Sequence, residues 1–355
     1  MLRKVRIKKI AKVHSGATPD TKTREYWDGN IPWITPLDLS VLSSRYIDRG
    51  VRSITESGFK NSSTSKFPTN SVIISSRAPI GLLAIPTLLE TTINQGCKAI
   101  ECTKDINNLW LFYYLSTQIN YLNRLGGGTT FKEISKNDLE ELEILVPSIK
   151  VQNNIVDIIG TIDEKIECNE KYITVLKNKS KLIYGSDCSE IVSINKLVSI
   201  QTGKEDANFA VPNGSYKFFT CAEQSSLCED YKYEGKNILL AGNGTFNVNH
   251  YCGKFNAYQR TYIIKPFNEY DYGLLYFGIK SYVGNLVSSS TGSIVKFIGI
   301  DDVKNIKVKK LSPHMKLVLL SNLNRIDVLL DEIETLSQMK KTLLPLLLNE
   351  QVAIL

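Results

Sequence analysis

The sequence predicts an α+β protein in which one unit is written twice: two pseudo-two-fold related domains separated by two long antiparallel coiled-coil helices. Three observations predict it. Ile7-Lys-Lys-Ile-Ala-Lys-Val-His-Ser-Gly16 is echoed by Ile194-Asn-Lys-Leu-Val-Ser-Ile-Gln-Thr-Gly203, with apolar, basic and terminal glycine positions in step. The echo continues in Trp33-Ile-Thr35 against Phe218-Phe-Thr220, Gln95 against Gln259, and Leu111-Phe-Tyr-Tyr114 against Leu274-Leu-Tyr-Phe277, the spacing between partners shrinking along the chain. Unequal surface loops produce such a drift. Finally, each copy ends in an apolar heptad pattern.

The elements follow in order. Residues 1–146 hold short apolar runs cut by Gly, Pro, Asn and Ser. Ser71-Val-Ile-Ile-Ser75 and Lys98-Ala-Ile-Glu101 are rich in branched residues and bounded by turn formers, which predicts strands. One helix is expected from Asn108 to about Leu122, ahead of Gly126-Gly-Gly128. Residues 147–185 form the first long helix, with Ile155, Ile159, Ile162, Ile166, Asn169, Ile173, Leu176, Ser180 and Ile183 in alternating steps of four and three. Residues 186–312 repeat the first plan, with strands at Asn237-Ile-Leu-Leu-Ala241 and Tyr262-Ile-Ile264 and a helix over Tyr272–Lys280.

Residues 313–355 form the second long helix. Leu319, Leu323, Ile326, Leu330, Ile333, Ser337, Lys340, Leu344 and Leu347 repeat the first seam position for position, Leu319 standing for Ile155 and Leu347 for Ile183. Pro147 and Pro313 stand at or just before the helix starts, where a missing N–H costs least. Copies related by a dyad require their helices to pair antiparallel. The expected contacts are Ile155, Ile159, Ile162, Ile166, Ile173 and Leu176 on one helix, with Leu323, Ile326, Leu330, Ile333 and Leu344 on the other. A helix of some 35 residues is roughly 50 Å long, a length suited to holding two domains one turn of B-DNA apart, about 34 to 36 Å.

Composition bounds the function. A chain of 355 residues, 43% hydrophobic and 22% charged, can bury two ordinary cores. No apolar run reaches the roughly 18 residues of a membrane span, and the start lacks the apolar stretch of a secretory signal, so a cytoplasmic location is expected. Seven cysteines without a Cys-x-x-Cys pair fit free thiols. Cys221, Cys228, His250 and Cys252 match no common zinc-finger spacing, so no metal site is expected. The net charge of +7 is a mild pull toward polyanions.

The sequence offers little for catalysis. An amino-methyltransferase needs an Asn/Asp-Pro-Pro-aromatic strip, and the chain has no Pro-Pro dipeptide. Glu234-Gly-Lys236 with Asp230 offers the acids and lysine of a stand-alone magnesium-dependent nuclease, the catalytic alternative. A non-specific coiled-coil assembly scaffold is the other. The three histidines, His14, His250 and His314, give hydrolase triads little to work with, and no catalytic residue is assigned.

Several strings then point to a family. Gly16-Ala-Thr-Pro19, Glu25-Tyr-Trp-Asp-Gly29, Ile31-Pro-Trp-Ile-Thr-Pro-Leu-Asp38, Ser76-Arg-Ala-Pro-Ile-Gly81, Asn94-Gln-Gly96, Gly127-Gly-Thr-Thr-Phe-Lys-Glu-Ile134, Leu145-Val-Pro-Ser148 and Ile162-Asp-Glu-Lys-Ile166 resemble the specificity subunits of type I restriction-modification systems, in that family's order of target recognition domain, helix, recognition domain, helix. The second half departs from the pattern, with Asn243-Gly-Thr-Phe-Asn247 where the first has Arg77-Ala-Pro-Ile-Gly81. The resemblance implies a non-catalytic double-stranded-DNA-binding subunit whose two domains each read one half of a split sequence and whose helices set the unread spacer. It implies two docked modification subunits completing an adenine-N6 methyltransferase, with restriction subunits as further partners. S-adenosylmethionine, ATP and magnesium then belong to those partners, and this chain needs no cofactor.

Arg and Lys read guanine, Asn and Gln read adenine, and Lys, Ser, Thr and backbone amides hold phosphates. On that chemistry the first domain offers Thr18, Lys22, Arg24, Arg77, Lys98 and Lys132, with Thr129 and Thr130 beside them. The second offers Lys204, Asn243, Asn247, Asn249, Lys254, Gln259, Arg260 and Lys296, with His250 and Tyr258 nearby. Arg77, Lys132, Asn249 and Arg260 are the preferred contacts.

Overall fold

A computed structural model describes residues 2–127, 132–186, 190–290 and 296–351. The chain divides into unit one, Met1–Glu167 with Glu334–Leu355, and unit two, Cys168–Ile333. Each long helix therefore contributes one half to each unit.

In unit one a five-stranded sheet runs in the order β2 (Ala11–Ser15), β9 (Cys97–Cys102), β6 (Ser71–Ser75), β7 (Leu83–Pro86) and β4 (Tyr46–Ile47). A three-stranded sheet of β5 (Arg52–Ile54), β3 (Trp27–Ile34) and β8 (Thr92–Ile93) accompanies it, with short helices α1 (Pro36–Ser40) and α2 (Glu56–Lys60). A ribbon of β1 (Arg3–Arg6) and β10 (Glu143–Val146) brings the ends of the globular part together. The helix expected over Asn108–Leu122 is two: α3 (Asn108–Thr117), whose cap is the Asn107 side chain, and α4 (Ile119–Leu125), with the break at Gln118. α5 (Lys136–Glu141) leads through β10 into α6 (Ile149–Gly185).

Unit two repeats this order. Its six-stranded sheet runs β12 (Val198–Thr202), β17 (Thr261–Pro266), β15 (Tyr233–Ala241), β16 (Val248–Ala257), β13 (Tyr216–Phe219) and β14 (Ser226–Cys228). β11 (Ile191–Ser193) pairs with β18 (Lys307–Lys309) as β1 pairs with β10. α7 (Tyr272–Ser289) replaces α3 and α4, running beyond the expected Lys280; α8 (Ile300–Lys304) stands for α5, and α9 (Pro313–Leu348) is the second long helix.

The cores explain the heptads. In unit one Ile155, Ile159, Ile162, Leu344 and Leu347 are buried in one cluster with Trp110, Leu111 and Tyr113 of α3, and Ile166 packs on it partly exposed. In unit two Ile173, Leu176, Leu319, Leu323 and Ile326 are buried with Leu274, Leu275 and Ile279 of α7, and Ile333 packs partly buried. Each such side chain contributes about 1.5 to 3 kcal/mol. The strict seam fails at Leu330, which is 47% exposed while Leu329 is 2% exposed. The buried position of that turn is three residues after Ile326 rather than four.

Polar pairs fix direction. Within unit two, Asn169 Nδ2 donates to Glu332 Oε2 at 2.9 Å and Asn322 Nδ2 to Ser180 Oγ at 3.0 Å, so the helix segments there run antiparallel. Within unit one, Lys340 Nζ meets Asp163 Oδ1 at 2.6 Å.

Candidate nucleic-acid interface

The loop after β2 crosses the loop before β9 so closely that only glycine fits. A Cβ on Gly16 would lie 2.1 Å from the Asn94 carbonyl oxygen. Ala17 N donates to Ile93 O at 3.2 Å, and the indoles of Trp33 and Trp27, 5.1 Å apart, donate to Ala17 O at 2.9 Å and Asp20 O at 3.0 Å. Those rings are buried supports. Asp20 accepts from Lys22 N and Thr23 Oγ1, which hold its carboxyl below the ordinary range. Thr18, Lys22 and Arg24 are thus presented on an exposed, braced segment, with Thr18 Oγ1 on Gln95 Oε1.

A second turn joins it. Ser76 N donates to Gly96 O at 2.8 Å and Ile134 N to Ser76 O at 2.9 Å. Arg77 Nε meets Glu133 Oε2 at 3.0 Å. Lys98 is buried, its Nζ 3.3 Å from Ser76 Oγ, 3.5 Å from Gln95 O and 3.7 Å from Glu133 Oε1. Burial pushes its amine pKa down, and Glu133 opposes that. Thr18, Gln95, Arg77 and Lys98 therefore share one patch, but Lys98 forms its floor, and the exposed side chain beside it is Gln95. Lys132 is exposed beside Glu133, and Thr129 and Thr130 lie outside the described residues.

Unit two makes the same crossing. A Cβ on Gly203 would lie 2.2 Å from Tyr258 O, and Lys204 N donates to Ala257 O at 3.2 Å. Gln259 Nε2 donates to Asp206 Oδ1 at 3.0 Å, Gly242 N to Arg260 O at 2.7 Å and Ile298 N to Gly242 O at 3.0 Å. Asn243 bridges Phe297 where Arg77 bridges Glu133, and the Tyr262 hydroxyl, donating to Ile298 O at 2.9 Å, takes the place of the Lys98 amine. The scaffold is common and the side chains on it differ.

Lys204, Asn243, Gln259, Arg260 and Lys296 come together around this turn, where Gly244, at a φ of +75°, donates its N–H to Lys296 O at 2.9 Å. The Lys296 ammonium is turned onto Val287 O at 2.9 Å. Asn247 closes the turn through its backbone, accepting from Ala241 N. Asn249 donates to Glu223 O at 3.3 Å, and Lys254 lies over the Tyr231 ring at 4.6 Å.

His250 points the other way. Its ring packs edge-on against Tyr276 at 4.5 Å, with Nε2 3.5 Å from Asp327 Oδ1 on α9. Successive side chains of a strand face opposite ways, so His250 goes to the helices as Asn249 goes to the other face. Burial, with the charges of Lys280 and Lys177, lowers its pKa to about 4. Cys228 is buried on backbone carbonyls, and no metal-ligating group of three occurs among the described residues. Lys236 of the nuclease alternative is paired with Glu269 at 3.2 Å.

The residues missed in the sequence are those that dock each globular part on the helices. Arg45, buried, donates to the Tyr113 hydroxyl at 2.8 Å and approaches Asp163 Oδ2 at 3.4 Å, and Tyr113 donates to the same oxygen at 2.8 Å. Asp163 and Asp327 occupy equivalent positions of the two heptad segments, each directly after a seam isoleucine, Ile162 or Ile326. Each receives a basic side chain from its own domain, Arg45 or His250. Two carboxylates at matching positions beside apolar seams were the available signal.

A family model described as the type I restriction modification DNA specificity domain matches residues 2–178. The type I restriction enzyme MjaIX specificity subunit of Methanocaldococcus jannaschii is 29% identical over 350 residues, covering 84% of this chain and 81% of that one. The EcoDI specificity subunit of Escherichia coli is 39% identical over 147 residues, 41% of this chain and 32% of that one. A crystal structure of the type I restriction-modification S subunit from M. genitalium superposes with a TM-score of 0.69 at 15% identity, covering 98% and 96% of the two chains.

Proposed function

The chain belongs to the type I restriction-modification specificity subunits, and from that premise we propose that units one and two each read one half of a split DNA sequence while the paired helices set the unread spacer. Its role in such a complex is DNA sequence specificity, as a recognition subunit and not a catalytic one.

One observation carries the proposal. The glycine crossing recurs, Gly16 on Asn94 and Gly203 on Tyr258, and holds different polar side chains above the same backbone. A duplicated frame with diverged edges suits two different words of one duplex. Thr18, Lys22, Arg24, Arg77, Gln95 and Lys132 are the proposed contacts of unit one, and Lys204, Asn243, Gln259 and Arg260 those of unit two. Asn247, Asn249, Lys254 and Lys296 flank the second patch.

Two modification subunits dock to supply adenine-N6 methyl transfer with S-adenosylmethionine, and restriction subunits add ATP- and magnesium-dependent cleavage. The division of domains at 146, 185 and 312 assigns the helices to spacing. Inserting one heptad into both α6 and α9 tests this: methylation mapping in cells that also express the cognate modification subunit is expected to show both half-sites unchanged around a longer spacer. Altered half-sites at an unchanged spacer would refute it.

A further inference from the structure

Each unit holds a recess between its core helix and the long helix returning past it. In unit two it measures about 520 Å³ and is walled by Tyr184, Tyr276 and Phe277, with Lys177, Lys181 and Lys280 around it. None of the described residues lining it is acidic. Lys280 Nζ donates to the Tyr276 hydroxyl at 3.1 Å, and the Lys177 ammonium is disfavoured first by burial and then by the charge of Lys280, so two amines face one space.

Unit one holds the counterpart, about 660 Å³, lined by Ser116, Thr117, Lys341, Ile166 and Leu344, and by Asp163 paired with Lys340. The duplication matches Lys177 with Lys341, in the register that matches the two helix seams, and the same spacing matches Thr117 with Ser281 and Ser116 with Lys280. Lys340 is engaged by Asp163, which leaves Lys341 as the cation repeated in both recesses.

We propose that the two recesses are docking sites for one acidic, partly apolar segment of a partner present in two copies, with Lys177 and Lys280 gripping one copy and Lys341 the other. This rests on the reading that two modification subunits bind the chain. The reading turns have diverged, Arg77 against Asn243 and Lys98 against Tyr262, whereas these recesses keep one lysine in register, Lys177 with Lys341, although Lys280 is matched by Ser116. A surface shared by both copies meets something identical on both sides. The apolar walls, rings in unit two and Ile166, Leu344 and Pro345 in unit one, have nothing to offer a phosphate backbone, whereas an acidic, partly apolar peptide satisfies the amines and fills the walls.

The test is native mass spectrometry of the full chain with its modification subunit at fixed salt. Wild type is expected to hold two subunits. Lys177→Glu with Lys280→Glu, or Lys341→Glu alone, is expected to hold one, the other binding at least tenfold more weakly; all three together hold none. Lys→Arg versions keep two. Lys→Gln versions, with melting curves, separate misfolding from lost docking, because a folded Gln variant that still holds two subunits tightly overturns the proposal. Unchanged assembly with weaker, less salt-dependent binding to random duplex overturns it in favour of a phosphate contact. A wild-type chain that assembles with no modification subunit overturns the underlying reading as well, which distinguishes the two failures.

Discussion

The carboxylate of Glu133 lies 3.0 Å from Nε of Arg77 and 3.7 Å from the ammonium of Lys98. One acid on the proposed DNA-facing patch thus ties an exposed guanidinium to a buried amine. Holding Arg77 by Nε orients the fork through which arginine reads guanine or grips phosphate. Glu133→Gln is expected to weaken discrimination at a single position of the half-site read by unit one by about 1 kcal/mol, within the range for one contact. Competition binding with single-base variants checks it, and equal loss at both half-sites would contradict it.

Lys132, on the turn that joins the first crossing, and Lys204, directly after Gly203 of the second, are both exposed. Replacing either with Ala is expected to weaken binding to all duplexes alike and to reduce the slope of log affinity against log salt by about 1. A sequence-dependent loss would make that lysine a base reader.

Arg45 and Asp163 belong to a buried network, with side-chain exposures of 5% and 11%. Arg45→Ala leaves Asp163 with Lys340 and Tyr113, and is expected to destabilise unit one by about 3 kcal/mol, the scale for losing one partner of a buried pair. Denaturant unfolding of the full chain measures this, and a change well under about 1 kcal/mol would contradict it.

His250 and Asp327 respond to pH in opposite senses. His250 is held neutral, its pKa lowered to about 4 by burial, so the stability it contributes is complete above its ordinary pKa of 6.5 and is lost as pH falls toward 4. Asp327 is raised from 3.8 to about 6 by burial and then by Asp331, so its cost is absent below 3.8 and grows as pH rises to 6. Between pH 4 and 6.5 the two offset one another. Relative to wild type, His250→Gln is expected to gain stability on acidification and Asp327→Asn to lose it. Parallel unfolding curves for all three proteins would contradict both assignments.

Much of the frame was legible because duplication imposes the same pattern twice. Gln95 and Gln259, and the glycines of the two crossings, could be matched before any contact was known. Facing was harder. His250 sits in a polar run that reads as a loop, yet it lies on a strand whose alternation sends it to the helices. Lys98 reads as a surface cation because nothing local announces that Glu133 and Ser76 will close over it. Leu330 follows the heptad on paper, yet its neighbour Leu329 takes the buried position. Arg45 was invisible, since its partners Tyr113 and Asp163 lie far along the chain.

The central claim is that each unit reads its own half-site. Methylation mapping of DNA from cells that express the chain with its modification subunit tests it most directly, comparing wild type with Arg77→Ala and with Arg260→Ala. The expected result is a split motif in which the Arg77 variant relaxes one half only and the Arg260 variant the other half only. A continuous motif, or both variants altering the same half, would contradict it.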